Sequence, residues 1–157
     1  MIAVDTNLLV RLLAEDDPAQ AERAARLFAE NVIFIPKTVM LETEWVLRHA
    51  YEIDRKGILE AFYRLMGLAN VKLEDPHVVD VAVSWYTDGM DFADALHLGS
   101  SGKVEGFATF DRSLLRKAER VSTVNLIAPQ AAAYSEKGKL PMIHHPTNIV
   151  SSCFPFG

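Results

Sequence analysis

The stretch Ile2-Ala3-Val4-Asp5-Thr6-Asn7-Leu8-Leu9-Val10-Arg11-Leu12-Leu13 decides the fold. Three apolar residues make a short strand that stops on a carboxylate, and Leu8, Leu9, Leu12 and Leu13 then recur at the spacing of one helical face. The chain therefore opens strand, acid, helix. Outward from this unit the alternation continues. Asp17-Pro18 puts a capping carboxylate before a first-turn proline, which predicts a helix to about Glu30. Val32-Ile33-Phe34-Ile35 reads as a buried strand. A helix follows over roughly residues 39–51, and Asp54 opens another through Ile58, Leu59, Phe62, Leu65 and Met66. Val71-Lys72-Leu73 is a third strand, Asp75-Pro76 starts a helix that should end near Gly89, and Asp91 starts one that runs to about Gly99. Gly106-Phe107-Ala108-Thr109-Phe110 leads as a strand into Asp111, then a short helix through Leu114, Leu115 and Ala118, and a last strand near Val124-Asn125-Leu126. Strands alternating with helices predict a mainly parallel sheet with helices on both faces, joined by right-handed crossovers.

With 157 residues, half of them apolar, the chain can enclose one ordinary core but not two comfortable domains. No apolar run is long enough to cross a bilayer, and the opening residues lack the basic-then-apolar layout of a signal peptide. A soluble, cytoplasmic protein without a membrane partner is expected. Cys153 is the single cysteine, which excludes intrachain disulfides and thiolate metal cages. Any metal must sit on oxygen or imidazole. The formal charge of −5, from 16 Lys+Arg against 21 Asp+Glu, is the wrong sign for a protein that coats nucleic acid nonspecifically. It leaves room for a catalytic site, because a bound cation reverses the local field and a few basic residues at a cleft rim can hold phosphates.

From about Ala131 the texture changes. Ser135-Glu136-Lys137-Gly138-Lys139 is polar, and scattered prolines and apolar residues without a period follow. Residues 1–130 are expected to form the domain. Residues 131–157 are expected to be an extension, either non-native in origin or docking through Ile143, Ile149, Val150, Phe154 and Phe156 on its own body or on a partner.

In open parallel α/β sheets, ligands bind at the carboxyl ends of the strands. Asp5 and Asp111 each stand where an apolar strand has just ended, Glu42 lies in the first turns of the helix after Val32–Ile35, and Asp94 lies at the start of the helix after Gly89. Each has a plainer explanation beside the functional one. Asp91 can be an N-cap with Asp94 at N3, and Asp111 can cap the helix that follows, since carboxylates near helix N-termini are favoured by roughly 0.3–1 kcal/mol. A helix glutamate such as Glu42 is usually solvated. Asp5 is harder to explain away, because it stands between an apolar strand and an apolar helix where burial without a partner is costly. If the four acids meet, repulsion raises some of their pKa values and destabilises the empty fold unless cations bind between them. Carboxylates without cysteine, and without a spaced histidine pair outside the tail, suit Mg²⁺ or Mn²⁺ better than Zn²⁺. Such ions activate water and stabilise both the entering and the leaving oxygens of a phosphodiester.

Four segments in order carry a family pattern: Val4-Asp5-Thr6-Asn7, Leu41-Glu42, Asp91-Phe92-Ala93-Asp94-Ala95-Leu96-His97 and Ala108-Thr109-Phe110-Asp111-Arg112. Over roughly residues 1–126 the chain resembles the PIN domain superfamily, and within it the VapC toxins of bacterial and archaeal toxin–antitoxin pairs. The resemblance implies a PIN-like three-layer α/β/α sandwich with a mainly parallel central sheet of four to five strands. It implies that Asp5, Glu42, Asp94 and Asp111 bind Mg²⁺ or Mn²⁺ and catalyse hydrolysis of RNA phosphodiester bonds. Asp91 is an accessory acid in this reading and equally an N-cap; Thr6, Asn7 and Thr109 support the acids or their waters, Thr6 and Asn7 equally serving the first N–H groups of their helix. A homodimer and a small VapB-type antitoxin lying over the acidic cleft are implied as partners.

Other residues are weighed on their surroundings. His97, set between Leu96 and Leu98, is expected as a core or interface histidine, and His144-His145 in the tail receives no role. Arg11, Lys37, Arg48, Arg112 and Arg116 neighbour the motif segments and are candidates for phosphate contact. Phe62-Leu65-Met66 and Trp85-Tyr86 are expected as core or dimer surface. Two rivals share the strand-then-Asp opening or an acidic pocket. A haloacid dehalogenase-type, metal-dependent phosphatase needs a second carboxylate two residues after the first, where Asn7 stands. A receiver domain needs its aspartate deeper in the chain. A third reading is a catalytically inactive PIN-fold binding module.

Overall fold

The computed structural model describes residues 1–129. Within them lie strands β1 (Ile2–Ala3), β2 (Ile33–Ile35), β3 (Val71–Leu73), β4 (Phe107–Ala108) and β5 (Leu126–Ile127). They alternate with helices α1 (Thr6–Ala14), α2 (Pro18–Glu30), α3 (Lys37–His49), α4 (Arg55–Met66), α5 (Pro76–Thr87), α6 (Phe92–Ser100) and α7 (Arg112–Val121). The expected extension at 131–157, with its apolar residues and His144-His145, lies outside the described residues.

Helix starts follow the carboxylates. Asp17 accepts from Gln20 N at 3.0 Å and Asp54 from Gly57 N at 2.8 Å, so each satisfies an N–H that the first turn leaves free. Asp75 departs from this pattern. Its backbone is left-handed (φ 46°), its side chain caps nothing and pairs instead with Lys37 Nζ, and Pro76 alone sets the first turn of α5. The cap of α3 comes from far away in sequence: Glu74 Oε2 accepts from Lys37 N at 2.9 Å. That distant acceptor lets α3 begin two residues before the expected start at Val39.

Every strand pairing is parallel. β2 lies between β1 and β3, with Ile2 opposite Ile33 and Ile33 opposite Val71. β4 pairs with β5, Phe107 opposite Leu126. The α/β architecture with parallel strands is therefore as expected, with one difference in the seam. Among the described residues the five strands form a ladder of three and a ladder of two rather than one continuous sheet. Two-residue strands have few groups with which to hold two neighbours, and β4 is committed to β5. Phe107 N donates to Asn125 O at 2.8 Å, and Gly106 packs so tightly that a Cβ there would lie 2.7 Å from Ile127 Cδ1.

The core gathers Ile33 and Ile35 from β2 with Met40, Leu47, Phe62 and Phe92 from the helices. Phe62, Tyr86 and Phe92 pack ring against ring, at centroid distances of 5.4 and 5.5 Å. Burial of each such side chain stabilises by about 1.5–3 kcal/mol. Phe62, Leu65 and Tyr86 are buried, and Met66 and Trp85 pack partly buried against them. Those stripes are core. Trp85 Nε1 also donates to Val121 O at 2.9 Å, which fastens the end of α7 to α5. Gly89, at φ 97°, stops α5 in a conformation that L residues avoid and turns the chain toward Asp91. Among the described residues no helix is long and apolar enough to cross a membrane.

Candidate active site

β1 and β2 run in the same direction, so Asp5 and the start of α3 leave the sheet at the same end. Asp5 is exposed and caps α1, accepting from Leu8 N at 2.9 Å. The next residue, Thr6, is buried, and its Oγ1 donates to Glu42 Oε2 at 2.5 Å. That bond ties the first residue of α1 to α3 and fixes one carboxylate oxygen of an otherwise exposed Glu42. Asn7 is exposed at the rim of a surface groove with Leu8, Arg11 and Gln20.

A second group of acids gathers at the N-termini of α6 and α7. Asp91 caps α6 through Ala93 N at 3.0 Å, and Asp111 caps α7 through Ser113 N at 2.6 Å and Leu114 N at 3.2 Å. Thr109 Oγ1 accepts from Asp111 N at 3.0 Å and so steadies the turn that presents Asp111. Asp94 sits one turn into α6, partly buried. Burial pushes its pKa above the ordinary carboxylate value, and the charges of Asp91 and Asp111 push it further; His97 and Lys117 pull the other way. The plainer readings at the two later helix starts fit the geometry: Asp91 and Asp111 are N-caps, and Asp94 stands in the first turn of α6. Asp5 proves to be an N-cap as well, and Glu42, inside α3, is the acid that no helix start accounts for.

The donor set is right for a hard divalent cation: carboxylates and hydroxyls without a thiolate. The crowding at Asp94 is the electrostatic state that such a cation relieves. The spacing is wider than a finished cage. Among the described residues no three His, Cys, Asp or Glu side chains lie close enough to hold one ion.

The basic candidates divide. Arg11 pairs with Asp16, Lys37 with Asp75, and Arg48 with Glu44 and Asp91, so their charges are already spent. Arg112 and Arg116 are exposed on α7 beside two residues the sequence reading passed over, Lys117 and Arg120. The i, i+4, i+8 spacing of Arg112, Arg116 and Arg120 is the signal that marks them as one face. His97 is not a core residue: it lies exposed on the outward side of α6 while Leu96 and Leu98 turn inward, which leaves the interface half of the expectation standing. Glu44 was also passed over. It is buried to 1 % exposure, and both its oxygens are engaged: Oε1 accepts from Tyr86 Oη at 2.9 Å and lies 2.9 Å from Arg48 Nε, and Oε2 accepts from Arg48 Nη2 at 3.4 Å. Arg48 reaches on to Asp91 at 3.3 Å, which links α3 to the start of α6.

These features define an α/β domain that carries acids at the ends of its parallel strands and at its helix N-termini, a class suited to metal-assisted phosphodiester chemistry. The family model described as PIN domain matches residues 2–120, and the chain belongs to the PIN domain family, whose members are generally nucleases. No curated protein and no solved structure matches the chain.

Proposed function

We propose that this chain is a Mg²⁺- or Mn²⁺-dependent endoribonuclease, acting in the cytoplasm as the homodimeric toxin of a VapBC-type pair and restrained by a VapB-type antitoxin. The observation that carries the reading is the PIN domain match over residues 2–120, which spans all four acids; the upward shift at Asp94, caused first by burial and then by the charges of Asp91 and Asp111, agrees with it. In this reading Asp5, Glu42, Asp94 and Asp111 hold the cation, with Asp91 as accessory. When bound, the cation supplies a Lewis acid and a more acidic water for in-line attack on phosphorus. The chain's own groups prepare that step. Thr6 orients the Glu42 carboxylate, Thr109 sets the turn before Asp111, and the Arg48–Asp91 contact fixes α6 relative to α3. The two helix N-termini add partial positive charge beside the acids, which favours an arriving phosphate.

A second reading, an inactive PIN-fold binding module, is favoured by the absence among the described residues of a three-acid cluster at metal distance. The phosphatase reading gains no support, since exposed Asn7 cannot act as a general acid. Cleavage of a structured RNA with Mn²⁺ separates them. Asp5→Asn and Asp94→Asn should each slow cleavage about a thousandfold, close to 4 kcal/mol of barrier. Equal, metal-independent cleavage by all three proteins rejects the nuclease and leaves the binding module.

A further inference from the structure

α7 concentrates positive charge on an acidic chain. It carries Arg112, Arg116, Lys117 and Arg120 against one acid, Glu119, while the whole sequence is at −5. All four are exposed, and no ion pair among the described residues engages them. At 100° per residue, Arg112, Arg116 and Arg120 fall within about 80° of one another, on the side opposite buried Leu114 and Ala118. At a rise of 1.5 Å per residue they are about 6 Å apart along the axis, close to the phosphate-to-phosphate step of an extended single strand. The row begins beside Asp111 and leads away from it.

We propose that the Arg112-Arg116-Arg120 row of α7 is the track on which single-stranded RNA lies beside the acids, one phosphate to each guanidinium. This rests on the nucleic-acid substrate of the nuclease reading. Guanidinium forks suit phosphate oxygens and stay charged at every working pH. Lys117 stands off the row, and its charge reaches Asp94 instead. Glu119 borders the row, three residues from Arg116, and opposes the strand. An acidic peptide meets the same arginines, but it carries no phosphodiester to present at Asp111, so it is the competing occupant that the test must exclude.

The test is fluorescence anisotropy of a fluorescein-labelled single-stranded oligoribonucleotide across a salt series, without added divalent ion, on the full chain carrying Asp94→Asn to keep the RNA whole. Adding Arg112→Gln, Arg116→Gln and Arg120→Gln should lower the slope of log affinity on log salt by about two, near 0.7 for each lost contact, and weaken binding at least tenfold at moderate salt. Glu119→Gln should tighten it severalfold. A control chain with Arg23→Gln, Arg26→Gln and Arg64→Gln makes the same change in net charge away from α7. Equal slopes for the two triple variants overturn the track, as does a polyglutamate peptide that binds more tightly than the RNA. Thermal melts confirm that both triple variants fold; glutamine keeps helix propensity. Mn²⁺-dependent cleavage by the native chain is followed in parallel. Cleavage with unchanged slopes removes the track alone, and changed slopes without cleavage support the track while removing the nuclease.

Discussion

Glu42 and Glu44 stand two residues apart on α3, about 200° around the helix, and meet opposite surroundings. Glu42 is exposed, with one oxygen held by Thr6 and the rest of its carboxylate open. Glu44 is sealed inside, bound by Tyr86 and faced by Arg48. The same side chain serves two purposes because the helix turns one inward and the other outward. A buried carboxylate must be fully partnered to be tolerated, so Glu44 has no free oxygen to offer a ligand. Glu42 has spare coordination capacity and costs the fold little. The difference separates what holds the domain together from what the domain can act with.

The comparison can be broken most easily at its buried end. Glu44→Ala leaves Arg48 and the Tyr86 hydroxyl without their shared partner and should cost about 3 kcal/mol. In a chain of this size that lowers the melting temperature by roughly 6–12 °C. Glu42→Ala leaves the Thr6 hydroxyl without its acceptor and should cost about 1 kcal/mol, well below the loss at Glu44. Melts by circular dichroism that show equal losses for the two would erase the distinction. Thr6→Val sharpens the exposed end. It keeps the shape but removes the donor that orients Glu42, so Mn²⁺ affinity by titration calorimetry should fall about 10–100-fold with the fold intact. The effect should shrink when Glu42→Ala is already present, because the two residues act as one unit.

The smallest effect concerns Asp94 in metal-free protein. Its pKa is raised in the folded chain, so the folded state binds the proton more tightly than the unfolded one. Stability is then lost as pH rises above the ordinary carboxylate value. Asp94→Asn should raise the melting temperature at neutral pH by a few degrees at most, since solvent screens a partly exposed carboxylate. The gain should vanish in acid, where both chains are uncharged at that site, and saturating Mn²⁺ should reverse it. Melts across pH that show no gain at neutral pH would mean Asp94 is not crowded.

The sequence made the alternation of strands and helices plain because its punctuation is local: Asp17, Asp54, Asp91 and Asp111 all cap the helices they precede. Its blind spots are long-range. The start of α3 depends on Glu74, and the close seating of β4 on β5 depends on how Gly106 meets Ile127. Glu44 reads as a surface residue between Thr43 and Trp45, and only the arrival of Tyr86 from α5 reveals it as an interior one. His97 shows the opposite case. Two apolar neighbours are compatible with a core position, yet helical geometry turns the residue between them outward. The candidate acids are picked out by their order along the chain, while how closely they approach is decided by packing that no motif carries.

Because each ladder is parallel, no strand among the described residues finds its partner across a hairpin. Ile2 must wait for Ile33, and Ile33 for Val71, so helical crossovers have to be synthesised before either pairing can close. Such distant pairings slow folding relative to a helical bundle of the same length. A chain emerging from the ribosome therefore completes its three-stranded ladder only after more than half of the described residues have been made. Asp111, delivered later still, joins a scaffold that is already in place.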